Sequence, residues 1–197
     1  METNPDVQAA RQALAQVDEL RRRTRSALAS AWYPLVVFGL ITVLSAGVPL
    51  VAHEALVGAY WLVVGGAGSA LVARHYRRRE DEIGLAEPWV PYALVGVAIF
   101  VACLGLGFFG SGDVRVAGPP LAVSAGYLVL ATLDRCLSLG LLAVGMAVVV
   151  LAVLAVDPGH PYSVQSLVIG AGTVGVGLAL RRAEQAERAE RAERTGR

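Results

Sequence analysis

Six long apolar stretches, separated by short polar or arginine-bearing segments, take up most of the chain: residues 31–52, 55–73, 90–110, 118–133, 137–156 and 162–180. A helix that crosses a bilayer needs roughly 20 mostly apolar residues. Each stretch therefore predicts a membrane-spanning helix, and together they leave no room for a soluble core. The fourth is short for a full crossing, although residues 114–116 can extend it. The segments after the first, third and fifth stretches are brief turns, built on His53 and Glu54, on Gly112 and Asp113, and on Asp157 to Pro161. Short turns force antiparallel neighbours, so the expected fold is an all-α membrane bundle of six helices arranged as three hairpins.

Aromatic residues mark the expected interfaces, with Trp32, Tyr33, Trp89 and Tyr92 at one level and Tyr60, Trp61, Phe108, Phe109 and Tyr162 at the other. Residues 1–30 precede the bundle. There Asn4 can cap a first helical turn and Pro5 occupies the position that has no use for an amide hydrogen. Val7, Ala10, Leu14, Val17 and Leu20 then share one face of an amphipathic helix. Residues 181–197 form a charged tail in which Glu184, Glu187, Glu190 and Glu193 each stand four residues before an arginine. That spacing supports a solvated helical extension of the sixth span. Its strict period of three carries the alanines around the axis, so no coiled-coil seam forms.

Charge then orients the bundle. All seventeen basic residues are arginines, and sixteen lie in the leader, at Arg74 to Arg79, at Arg135 and in the tail; Arg115 stands alone among the other turns. By the positive-inside rule both termini are cytoplasmic, and the location expected is the plasma (inner) membrane. Net charge is only +1, and Arg77, Arg78 and Arg79 run straight into Glu80, Asp81 and Glu82, which excludes a nucleic-acid binder. Arg21, Arg22, Arg23, Arg77, Arg78 and Arg79 either serve as topology signals alone or also meet anionic lipid headgroups, each such contact contributing about 1 kcal/mol. An apolar content of 55% and a mean hydropathy of +0.57 agree with a membrane class. The two cysteines, Cys103 and Cys136, fall at different depths, so no disulfide is expected.

Small residues crowd the spans, above all Gly65, Gly66, Gly68 and Ser69 in the second and Gly170, Gly172, Gly175 and Gly177 in the sixth. Lipid supplies no hydrophobic drive for helix association, so close backbone approach at small residues is expected to hold the helices together. Gly65 with Ser69, and Ala171 with Gly175, have the four-residue spacing of one face. Gly66 and Gly172 are expected at helix contacts.

Transporters coupled to ions and intramembrane enzymes place ionisable residues at depth. The six stretches contain none. Their most polar groups are read as Cys103, Ser124, Tyr127 and Thr173, which can satisfy their hydrogen bonds on the backbone or a neighbouring helix. No base is available to activate a nucleophile. No catalytic, cofactor-binding or metal-binding residue is assigned, and no cofactor is expected. His53, Glu54, Asp113, Asp157 and His160 share one membrane side but lack ligand-motif spacing, and polar residues in tight turns usually cap. His75 reads as an interface residue. Asp134 and Arg135 are expected to pair with other cytoplasmic charges.

The leader from Ala13 to Arg23, Ala-Leu-Ala-Gln-Val-Asp-Glu-Leu-Arg-Arg-Arg, closed by Trp32 and Tyr33, resembles uncharacterised small multi-pass membrane proteins of high-GC Gram-positive bacteria. The resemblance covers about the first forty residues and implies no activity or ligand. The function expected is that of a non-enzymatic accessory, regulatory or scaffolding subunit acting through helix contacts, with a membrane protein or a second copy as partner. The alternative is a small permease or channel subunit for an uncharged or apolar solute.

Overall fold

A computed structural model of the chain describes residues 32–51, 55–83 and 90–195. The expected leader helix with Arg21, Arg22 and Arg23, and also His53, Glu54 and Trp89, lie outside the described residues. The described residues are helical apart from short turns, and six helices are long and apolar enough to cross a membrane: Trp32–Val51, Leu56–Arg79, Val90–Phe109, Asp113–Asp134, Leu137–Val156 and Pro161–Glu187. The fourth span begins five residues before the apolar stretch that predicts it, because Asp113 opens its first turn, where the positive end of the helix dipole favours a carboxylate. The sixth continues without a break to Thr195.

The chain divides into two compact units, residues 31–73 with 88–197, and residues 1–30 with 74–87. The described part of the latter is helical. In it His75 and Tyr76 meet edge to face at 5.8 Å, and Arg77 and Arg78 are exposed.

Within the larger unit the most extensive interface joins the first span to the sixth. Glycine makes it possible. A Cβ added to Gly170 would lie 2.7 Å from the Val43 amide nitrogen, one on Gly39 would lie 2.9 Å from the Val174 nitrogen, and one on Gly177 would lie 3.1 Å from the Trp32 carbonyl. Residue numbers fall along one helix as they rise along the other, so the two run antiparallel. At the end of this seam the Arg181 guanidinium sits 4.9 Å over the Trp32 ring, a cation–π contact at the base of the tail.

The glycines expected at contacts are used only in part. Gly66, Gly172 and Gly175 face open space, whereas Gly39, Gly170 and Gly177 form the crossing and Gly68 lies against Ile41. The physical reason is rotation: Gly170, Thr173 and Gly177 share one side of the helix at spacings of three and four, and Gly172 and Gly175 fall on another.

The third span packs on the fourth, with Gly118 beside Leu106 and Gly126 beside Ile99, and the fourth packs on the fifth. Leu139, Leu142, Met146 and Val150 of the fifth span form the centre of the core with Leu35, Ala117 and Ile169. Their spacing marks one buried stripe on a helix whose other faces are equally apolar. By contrast, no residue of Val90–Phe109 is buried.

Where helices end, polar groups cap them. The guanidinium of Arg115, the arginine that stands apart in the charge pattern, donates through Nε to the Gly107 carbonyl at 3.0 Å, in the last turn of the third span, where carbonyls lack partners. Asp134 accepts a hydrogen bond from the Tyr92 hydroxyl at 2.5 Å. Arg135 closes the fourth span in the left-handed conformation, φ 51°, its amide reaching Ala131.

Candidate functional site

Three helices lose their regularity toward the end of the bundle that carries residues 51, 110–113 and 157–161, here called the turn end. The first span breaks at residues 46–47, where the Ala46 and Gly47 amides bond three residues back instead of four. Pro49 is the cause, since it has no amide hydrogen for the Ser45 carbonyl and its ring crowds that carbonyl. The second span turns through a π-helical segment, Trp61–Gly65, the wider winding that inserts one residue into a helix. The fourth span carries Pro119 and Pro120. They leave the carbonyls of Arg115 and Val116 without their helical donors.

Gln165 of the sixth span answers one of these losses. Its side chain is 2% exposed and donates through Nε2 to the Val116 carbonyl at 2.8 Å. In hydrocarbon an unpaired backbone group costs several kcal/mol, so a proline inside a span is tolerated where a neighbour re-satisfies the freed carbonyl. The other end of the same amide is unanswered: Oε1 is buried and has no hydrogen-bond donor among the described residues, and Ser163 Oγ is likewise buried without a partner. Ser45 and Ser166 are buried at the same end of their spans. Ser45 satisfies itself on the Thr42 carbonyl at 2.7 Å.

Two half-buried aromatic residues expected in an interface belt also tie helices together. The Tyr60 hydroxyl donates to the Ile41 carbonyl at 2.7 Å, and Trp61 Nε1 donates to the Tyr162 hydroxyl at 2.9 Å. They fasten the second span to the first and the sixth. Polar groups, pro-kinked backbone and the π segment thus gather around the first turn of the sixth span.

The four polar residues singled out from sequence are dispersed. Thr173 bonds back to the Ile169 carbonyl at 2.7 Å and Cys103 donates to the Pro119 carbonyl on the neighbouring span at 3.4 Å, both as expected. Ser124, 3% exposed, differs, since its Oγ is buried with no partner. Tyr127 is half-buried beside the core. Asp113, Asp157 and His160 are exposed; Asp157 ends the fifth span in the left-handed region, φ 47°. Among the described residues no three His, Cys, Asp or Glu side chains converge as a metal site.

Sequence reading missed Gln165. It is the sole carboxamide in the six apolar stretches, and its relation to Pro120 was invisible because 45 positions separate them. No protein-family model matches the sequence, and no match is found among curated proteins or solved structures.

Proposed function

We propose that the chain is a non-enzymatic multi-pass protein of the plasma membrane that works through helix contacts, as an accessory, regulatory or scaffolding subunit. Both termini are cytoplasmic in this reading, and Arg77, Arg78 and Arg79 meet anionic headgroups. The supporting observation is the third span, which contributes no buried residue to the chain's own core. Val101, Leu104, Gly105, Phe108 and Phe109 line a shallow apolar groove on it, and nothing approaches Gly105 within 4 Å of where a Cβ would stand. Small residues let a second backbone come close in lipid, where packing rather than water exclusion drives association. The second span is also little buried, Gly65 and Gly68 being the buried residues among those described in it.

Gly105→Leu is the discriminating variant, because its Cβ would meet nothing within 4 Å and the rest of the side chain would occupy the groove. Purification from native membranes in a mild detergent should yield a partner with the unaltered chain and lose it with the variant. An identical partner set from both overturns the groove as the recognition surface. Labelling by aqueous thiol reagents at mid-depth cysteines in the second, fourth and sixth spans would select the permease reading in its place.

A further inference from the structure

The second span is fastened along one half of its length and not along the other. In residues 55–65 the Tyr60 hydroxyl donates to the Ile41 carbonyl of the first span, Trp61 Nε1 donates to the Tyr162 hydroxyl of the sixth, and Gly58 lies against the Phe108 ring of the third, where an added Cβ would stand 3.3 Å from it. The helix that follows, Gly66–Ile83, forms no extended interface with another described helix. Of residues 66–73, Gly66, Ala67, Ser69, Ala70, Leu71 and Ala73 are exposed, and Gly68 is the buried one, against the side chains of Ile41 and Phe38.

The fastening stops where the winding changes. Through Trp61–Gly65 the helix is π-wound, and the Gly66 amide then reaches back only three residues, to the Val63 carbonyl. The Ser69 hydroxyl donates to the Gly65 carbonyl at 2.9 Å, a side-chain bond that competes with the helical ladder and bends it. Such a switch of winding inside a helix is a recurrent mark of a hinge. Two glycines stand at it, and without a Cβ they take up backbone rotation at the least steric cost. Lipid supplies no hydrophobic drive to return the loose half to the bundle, so its position rests on packing at Gly68.

We propose that the second span is hinged at Gly65 and Gly66, so that residues 66–73 swing away from Phe38 and Ile41 of the first span while residues 55–65 stay tied. The closed position covers the Ile41 side chain and the open one bares it. The hinge stands independently of the groove on the third span.

The test is a comparison of two spin-label distances by double electron–electron resonance, on the full chain in nanodiscs with Cys103→Ser and Cys136→Ser. Labels on Ala73→Cys and Ala179→Cys, both exposed positions, follow the loose half; labels on Leu56→Cys and Val164→Cys, also exposed, follow the tied half. The first pair should give a broad or two-peaked distribution and the second a single narrow one. Gly66→Ala, whose Cβ meets nothing within 4 Å, should lower the outlying population about fivefold, because alanine favours regular helix over glycine by that factor. Gly68→Leu should enlarge that population, since a Cβ there would stand 2.5 Å from Ile41 Cδ1. Equally narrow distributions for both pairs, with the glycines in place, overturn the proposal. So does a broad first pair that Gly66→Ala leaves unchanged, which would put the motion elsewhere, or a second pair as broad as the first, which would mean that the whole span moves.

Discussion

Proline removes a donor wherever it enters a helix, and at Pro120 the loss is answered from another span. Gln165→Leu keeps the volume near Val116 but strands its carbonyl, so the bundle should lose about 1–3 kcal/mol, read as a lower melting temperature in detergent. Gln165→Leu combined with Pro120→Ala should recover most of that loss, since alanine restores the helical donor; an additive double variant would show that the two residues do not act on one carbonyl. Arg135 makes a prediction of opposite sign. Its backbone sits at φ 51°, a conformation that glycine adopts freely and other L-residues adopt at a cost. Arg135→Gly should therefore stabilise by about 1 kcal/mol, and a lowered melting temperature would mean that the arginine side chain contributes more than its strained backbone costs. The polar site was partly legible. Gln165 and the two prolines are plain in the sequence, but a hydrogen bond between residues so far apart depends on which helices become neighbours, and apolar stretches of nearly equal composition carry little record of that.

At the scale of the helix, glycine content announces close crossings without saying which face makes them. Gly39 and Gly170 meet backbone atoms of the opposing helix, which cannot move aside as a flexible side chain would. Gly39→Ala and Gly170→Ala should each cost about 1–3 kcal/mol through overpacking. Gly172→Ala, whose added methyl meets open space, should be neutral or stabilising by up to about 1 kcal/mol from helix propensity alone. Thermal unfolding of the three variants in one detergent checks the contrast, and equal melting temperatures would remove the crossing as the basis of the fold. The fifth span shows why such faces are hard to read. Leu139, Leu142, Met146, Val150 and Val153 are buried, yet the residues between them are also Leu, Val, Ala and Gly. Lipid and protein interior select the same side chains, so the polar stripe that marks the outside of a soluble helix is missing.

For the whole molecule, the arginine pattern predicts that reporter fusions after Arg79 and after Arg197 both register cytoplasm and that one at Gly112 registers the opposite side; a C-terminus on the far side of the membrane would overturn the orientation. Deleting residues 183–197 should leave the bundle's melting temperature unchanged within error. The tail is a largely exposed helical extension, and exposed ion pairs contribute little once salt and side-chain entropy are counted, while the Arg181 contact with Trp32 is retained. A large drop would mean that the tail packs on the bundle. The sequence by itself determined that the described chain is helical, that six helices are apolar enough to span a membrane, and where most of them end, because span length and hydropathy answer to bilayer thickness and not to any neighbour. Only the tertiary structure decided that the first span packs chiefly on the sixth, that Gly39, Gly170 and Gly177 form the crossing, and that Gln165 meets the carbonyl released by Pro120. These depend on the rotation and register of one apolar helix against another, and in hydrocarbon those are set by backbone approach and by the demand that every freed carbonyl find a donor.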